Sequence, residues 1–144
     1  MIITFFGHSD FVGSASLEEK LLAILRDQIN DSEAELLLGD YGGFDRFVYD
    51  CVRKYKKENT GVKLVLVTPY IDRKRKEYGK YDEIVYPPLE NVPYKFAIVE
   101  RNKWMVDQAD VIILCVEREY GGAFQAVKRA RKKNKRIINI VRTE

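Results

Sequence analysis

The 144 residues include 46% hydrophobic and 33% charged side chains with a formal net charge of +3, the balance of one ordinary globular domain with enough apolar material for a sizeable core. So small a positive excess gives no reason to expect nonspecific binding to nucleic acid. No apolar run approaches the ~20 residues that cross a bilayer, and no basic leader precedes the strand starting at Met1.

Met1 to Phe6 reads as the first strand and ends in Gly7-His8-Ser9-Asp10. Ser16-Leu17-Glu18-Glu19 has the form of a capping box, and Leu17, Leu21, Leu22, Leu25 and Ile29 line one face of a helix running to about Asn30. The apolar strand Glu35 to Leu38 enters Gly39-Asp40-Tyr41-Gly42-Gly43-Phe44-Asp45-Arg46. From there Phe44, Phe47, Val48, Cys51, Val52 and Tyr55 recur at helical spacing as far as Asn59-Thr60-Gly61. Val62 to Val67 is β-branched and almost continuously apolar, as a strand covered on both faces requires, and Thr68-Pro69-Tyr70 stops it. Ile71 to Tyr81 is charged and irregular, with a solvated cluster at Arg73-Lys74-Arg75-Lys76. Glu83 to Tyr86 is a short edge strand closed by Pro87-Pro88, and a third helix begins near Pro93 with Tyr94, Ile98 and Met105 toward the sheet. Val111 to Val116 is the most buried strand, running through Glu117-Arg118-Glu119-Tyr120 into Gly121-Gly122. The fourth helix turns Ala123, Phe124, Val127 and Ala130 inward and exposes the basic run from Lys128 to Arg136, and Ile137 to Val141 completes the sheet. Cys51 and Cys115 occupy apolar positions, not a disulfide or metal pair, which suits a reducing, cytoplasmic setting.

This alternation predicts an α/β fold, a single doubly wound, mainly parallel, Rossmann-like sheet with helices on both faces. In such sheets ligands bind beyond the carboxyl ends of the strands where the strand order reverses. With the first strand beside Val111 to Val116 at that point, His8, Asp10, Gly42, Gly43, Gly121 and Gly122 surround one crevice. Two glycines between a strand and a helix are as often a plain turn as a phosphate site; the phosphate reading rests on the positive end of the helix dipole and its free amides. Arg101 falls on the inward stripe of the third helix and requires an anionic partner, either Asp40, Asp45 or Asp107 or a bound phosphate, with the Asn102 amide beside it. His8, the only histidine, has no metal-ligand partner at recognisable spacing, so it orients its loop or donates a hydrogen bond. Phe11, Tyr41, Tyr70 and Tyr120 lie on loops at the rim. Gly7, Gly39 and Asp45 join the candidate ligand-binding set; no metal site and no cofactor is called for, and no catalytic residue is assigned.

Phe5-Phe6-Gly7-His8-Ser9-Asp10, Gly39-Asp40-Tyr41-Gly42-Gly43-Phe44-Asp45, Tyr86-Pro87-Pro88-Leu89-Glu90, Arg101-Asn102-Lys103-Trp104-Met105-Val106-Asp107 and Gly121-Gly122-Ala123 together resemble a small bacterial or phage-type SLOG protein over almost the whole chain. The resemblance implies one Rossmannoid domain over residues 1–144, related to the DNA-processing Smf proteins and to the lonely-guy phosphoribohydrolases. It also implies a nucleotide-derived ligand. Lonely-guy enzymes have Pro-Gly-Gly-x-Gly-Thr-x-x-Glu after the late strand; here Phe124, Gln125 and Lys128 stand at the positions of Gly, Thr and Glu. Without that glutamate, N-glycosidic cleavage lacks the carboxylate that stabilises a sugar cation. The expected function is therefore sensor-type binding of a nucleotide or nucleotide derivative. The alternative is a nucleoside monophosphate phosphoribohydrolase or deoxyribosyltransferase-like enzyme using Asp40, Asp45, Glu117 or, first among them, Asp10. A nucleotide-derived small molecule is the expected partner, self-association is left open and no membrane is expected; single-stranded nucleic-acid binding through the Lys128 to Arg136 face, which the Smf relationship suggests, is set aside because the net charge is modest.

Overall fold

The computed structural model describes residues 1–70 and 80–142, so the Arg73-Lys74-Arg75-Lys76 cluster lies outside the described residues. Among them, six strands form one sheet: β1 (Ile2–Gly7), β2 (Ala34–Leu38), β3 (Val62–Val67), β4 (Glu83–Val85), β5 (Val111–Cys115) and β6 (Arg136–Asn139), in the order β4-β3-β2-β1-β5-β6. Every neighbouring pair is parallel. Four helices connect them: α1 (Ala15–Ile29), α2 (Gly43–Glu58), α3 (Ala97–Gln108) and α4 (Gly122–Lys132). The chain adds β2, β3 and β4 on one side of β1, then crosses back and lays β5 against its other edge, from Ile3 opposite Val111 to Gly7 opposite Cys115. The strand order reverses there, and the crevice opens at that junction.

Period-2 alternation along each strand feeds two separate cores. Ile3 and Phe5, Leu36 and Leu38, and Ile113 and Cys115 face α1 and α2, joining Leu21, Leu25, Phe44, Val48 and Val52. Phe6, Leu37, Ile112 and Leu114 face α3 and α4, joining Met105, Val106, Ala126 and Val127. The sheet is therefore covered on both faces, and residues such as Ile112 and Leu36 are completely buried. Each such side chain stabilises the fold by roughly 1.5–3 kcal/mol relative to exposure. No helix among the described residues is long and apolar enough to cross a membrane.

Element ends depart from the sequence reading for local reasons. The cap of α1 is Ser14, whose Oγ accepts from the Leu17 amide at 3.2 Å, and not Ser16, which lies inside the first turn. With the start moved back two residues, Leu17 takes the place the box gives to Glu19, so no glutamate reaches back to the cap, and Glu18 pairs with Lys54. After Pro93 the chain first makes a 3-10 turn, Tyr94–Phe96, before α3 begins. Three residues per turn shifts the phase, so Tyr94 is 77% exposed and Ala97 takes the inward position, one helical repeat ahead of Arg101 and Met105. The last strand ends at Asn139 and gives way to a second 3-10 turn, Ile140–Arg142. On this edge strand Ile138 is only half-buried, while Ile140 is fully enclosed.

Candidate functional site

Beyond the carboxyl ends of β1, β2 and β5 lies a cavity of about 300 Å³. Gly7 and His8 reach its wall from the end of β1, and Gly39 and Asp45 from the turn between β2 and α2. Arg101 and Asn102 come from α3, and Gly121 and Gly122 form the N-terminus of α4. Gly42 and Gly43 face a wider neighbouring depression of about 840 Å³ that they share with Asp40 and Lys80. Asp10 lines neither space.

The two glycine turns have nearly the same backbone, with Gly42 at φ 97, ψ −178 and Gly121 at φ 91, ψ 177, and neither helix has a side-chain cap. The α2 turn is filled by the chain itself. The Gly43 amide donates to the Ser9 carbonyl at 2.7 Å, and a Cβ on Gly43 would lie 2.2 Å from the Phe11 carbonyl oxygen. The α4 turn is open: a Cβ on Gly121 would meet nothing within 4 Å, and one on Gly122 only the Asn102 Nδ2 at 3.7 Å. The first-turn amides of a helix have no partner within the helix, and Gly121, Gly122 and Ala123 at the start of α4 line the cavity.

Arg101 is 3% exposed and satisfied mostly by neutral acceptors. Its Nη1 donates to the Val67 carbonyl at 3.1 Å and its Nε to Asn102 Oδ1 at 3.1 Å, while Asp40 Oδ1 stands 4.0 Å from Nη1. Gly39 is the point of close approach, because a Cβ there would sit 2.6 Å from Asp45 Oδ2 and 2.9 Å from Arg101 Nη1. Burial pulls the guanidinium below its ordinary range, opposed by the Asp45 charge. Burial raises the Asp45 carboxyl, opposed by Arg101 and by the Tyr41 amide, which donates to it at 2.9 Å. Asp107, the third carboxylate the sequence offered, belongs to Arg129, which grips it at 2.8 and 2.6 Å through two nitrogens.

The His8 ring ties the ends of two strands together. Its Nε2 accepts from the amides of Glu117 at 3.2 Å and Arg118 at 3.4 Å, so it orients the β5–α4 loop by accepting a hydrogen bond, not donating one. Burial and the Arg118 charge lower its pKa, against smaller opposite effects from Asp10 and Glu117. Asp10 forms an exposed ion pair with Arg118, and the hydrogen bond from that guanidinium holds its carboxyl below the usual range. Arg118 lines the cavity and lies 5.9 Å from the centre of the Tyr120 ring. The sequence reading passed over it; its one signal was a position between a buried strand and a glycine pair.

Among Asp10, Asp40, Asp45 and Glu117, only Asp45 is on the cavity wall. Lys128 is exposed on α4, with its Nζ 5.9 Å from the Phe124 ring centre, and does not reach the cavity. Both thiols are buried, and burial pushes them up to about 12 at Cys51 and about 11 at Cys115, which removes them as nucleophiles at neutral pH. Tyr41 and Tyr120 are exposed at the rim, and Tyr70 stacks on Tyr94 with ring centres 4.9 Å apart. Phe11 is not a rim residue. It packs edge-on against Phe44 and beside Phe47, each at 5.1 Å, in the α1/α2 core.

No protein-family model matches this chain, and no curated protein sequence does. Solved structures do match. DNA processing protein A from Helicobacter pylori, studied for its single-stranded DNA binding mode, superimposes with a TM-score of 0.62 over 95% of this chain and 63% of its own length, at 14% identity. DNA processing protein A from Streptococcus pneumoniae gives a TM-score of 0.62 over 94% of this chain and 48% of its own, at 15% identity. The chain thus spans between about half and under two thirds of the solved proteins it matches. At such identities the match shows the fold alone, the Rossmann-like α/β arrangement. The expectation that nucleic acid is no partner is overturned, since a protein of this fold is described as binding single-stranded DNA. The physical flaw lay in letting a whole-molecule sum of +3 outweigh local placement: Lys128, Arg131, Lys132, Lys133 and Arg136 are all exposed along α4 and the turn into β6.

Proposed function

We propose that residues 1–144 form a small SLOG-type domain that binds a nucleotide-derived ligand in the cavity between β1 and β5, in a sensor-type, cytoplasmic role. The phosphate sits at the N-terminus of α4 and the base lies toward Tyr41 or Tyr120. The observation that carries this reading is the open turn at Gly121-Gly122: it presents free amides and the positive end of a helix dipole to a cavity of about 300 Å³, within the size range of small-ligand sites. Arg101 and Asn102 add buried polarity at the floor.

A second reading makes the bound nucleotide one unit of a single strand. It is favoured by the neighbour described for single-stranded DNA binding and by the exposed Lys128, Arg131 and Lys132 on α4. Isothermal calorimetry with mononucleotides, dinucleotides and short oligonucleotides at several salt concentrations tests both. Micromolar to low-millimolar binding of at least one class is expected, with a log K against log salt slope of about −0.7 per phosphate contacted if a strand is the ligand. No heat from any of them up to millimolar concentration removes the nucleotide reading altogether.

A further inference from the structure

We infer that Asn102 is the side-chain donor of the phosphate site and that it selects a singly charged phosphodiester over a doubly charged terminal phosphate; this rests on the nucleotide reading above. The orientation of its amide is fixed by chemistry. A guanidinium has donors only, so the Asn102 atom facing Arg101 Nε at 3.1 Å must be the carbonyl Oδ1. The amide nitrogen is thereby turned the other way. Asn102 is 9% exposed and lines the cavity, and its Nδ2 lies 3.7 Å from the place a Cβ on Gly122 would occupy. Among the described residues Nδ2 makes no hydrogen bond, yet it is not sealed from solvent either. Two N–H donors therefore open onto the space before the first turn of α4.

The charge preference follows from what surrounds those donors. Each cation on the cavity wall already has carboxylates near it: Arg101 has Asp40 and Asp45, and Arg118 has Asp10. What remains for an anion is neutral, namely the Asn102 amide and the helix amides, whose combined dipole amounts to about half a charge. A phosphodiester brings one negative charge. A terminal phosphomonoester carries about −1.5 to −2 at neutral pH, and its second charge would be desolvated beside the Asp45 carboxyl without a free cation. Arg101 is in this arrangement a positioning residue: its Nε holds the amide while its Nη1 is tied to the Val67 carbonyl.

The shared chemistry is an internal phosphodiester, which a free dinucleotide or a single strand can supply. Calorimetry is run on the whole chain with dinucleoside monophosphates (one diester and no terminal phosphate), with nucleoside 5′-monophosphates of the same bases, and with an oligonucleotide of about ten residues, inside the range one small domain engages. The dinucleoside monophosphate is expected to bind at least about tenfold more tightly than the monophosphates, equivalent to roughly 1.4 kcal/mol. Asn102→Asp keeps an acceptor for Arg101, so it should keep its melting temperature and lose diester binding at least tenfold. Asn102→Lys, which supplies a cation, should reverse the preference toward the monophosphate. Equal or tighter monophosphate binding by the native chain, or unchanged diester affinity in a folded Asn102→Asp protein, overturns the inference and leaves the nucleotide reading standing. Absence of binding by every ligand overturns both. An oligonucleotide bound far more tightly than the dinucleotide identifies a strand as the source, and equal affinities identify a small ligand.

Discussion

At Gly42 and at Gly121 the backbone adopts nearly the same left-handed conformation, each ahead of a helix and each after a buried strand, yet a side chain at the first turn would collide with Phe11 while one at the second would meet open space. The requirement for glycine is shared, because the positive φ disfavours any L side chain. What differs is the occupant. The α2 turn is packed by the β1–α1 connection, whose Ser9 carbonyl takes the Gly43 amide as a ligand would and whose Phe11 carbonyl fills the space beside it; the α4 turn has no such filler. A glycine-rich strand-to-helix junction thus reports a backbone shape, and whether it holds a ligand is decided by a distant part of the chain.

The largest expected effect lies at the filled turn. Gly43→Ala places a Cβ 2.2 Å from the Phe11 carbonyl, and overpacking of this kind costs about 3 kcal/mol. The better helix propensity of alanine returns at most about 1 kcal/mol, so the clash wins. The net loss of about 2–3 kcal/mol should appear in a thermal melt as a fall of roughly 7–10 °C for a chain of this size. An unchanged or higher melting temperature would mean that the β1–α1 connection is not seated there, and the contrast between the turns would disappear.

Arg101→Met comes next. The substitution keeps most of the volume but leaves the Val67 carbonyl and Asn102 Oδ1 without their donor, along with Asp45 without its balancing charge. Asp45 is half-buried and the Asp40 side chain is 26% exposed, so the figure for breaking a fully buried pair is discounted for solvent to about 2 kcal/mol. With its orienting donor gone, the Asn102 amide can flip, so the preference for diester over monoester should collapse even under conditions where the variant is fully folded. A stable variant with unaltered preference would show that Arg101 does not hold the amide.

Gly122→Ala probes the open turn. Gly122 has no positive φ, and the added Cβ would make an ordinary contact with Asn102 Nδ2 at 3.7 Å. Stability should stay within about 0.5 kcal/mol. The same methyl covers the donors, and affinity for the best nucleotide should fall about tenfold, or roughly 1.4 kcal/mol. The pair Gly43→Ala and Gly122→Ala is the sharpest form of the comparison, one lowering stability and the other lowering affinity. Strong destabilisation by Gly122→Ala, with affinity per folded molecule intact, would reverse the assignment of the two turns.

Most of the fold was legible because its signals are local and periodic. The apolar run Val62 to Val67 and the helical stripe from Phe44 to Tyr55 sit where the structure has β3 and α2, and alternation alone implied the parallel, doubly wound sheet. What escaped depends on contacts between residues far apart in sequence. Phe11 looked like a rim residue until its ring was seen against Phe44. Asp10 and Arg118, 108 residues apart, pair across the switch point, and nothing in either segment announces it. The buried position of Arg101 was readable from helical phase, whereas Tyr94 was misplaced because a 3-10 turn precedes the helix. Of the candidate site, the residue types and their loops were visible; which turn is open, and which way the Asn102 amide points, were not.

The smallest effect, and the one that isolates the open turn without touching a glycine, concerns His8. Its neutral ring accepts from the Glu117 and Arg118 amides, and protonation of Nε2 ends both hydrogen bonds. Its pKa is lowered from 6.5 in the folded chain, first by burial and then by Arg118, with Asp10 and Glu117 opposing. The unfolded chain therefore takes up the proton at higher pH than the folded one. Stability from this group is fully present above about pH 6.5 and declines as the pH falls from there through the lowered folded value, because protons bound only by the unfolded state favour unfolding. The ring is only half-buried, so the loss is small and is best read as a difference. His8→Gln retains an acceptor that does not titrate, and melting temperatures of the two proteins should converge at high pH and separate as pH falls toward 5, with the native chain losing more. Nucleotide affinity should follow the same divergence, since the amides released by His8 belong to the loop that leads into Gly121. Parallel melting curves across the range would mean that the His8 contacts do not hold the loop, and the open turn would have to be rigid for reasons of its own.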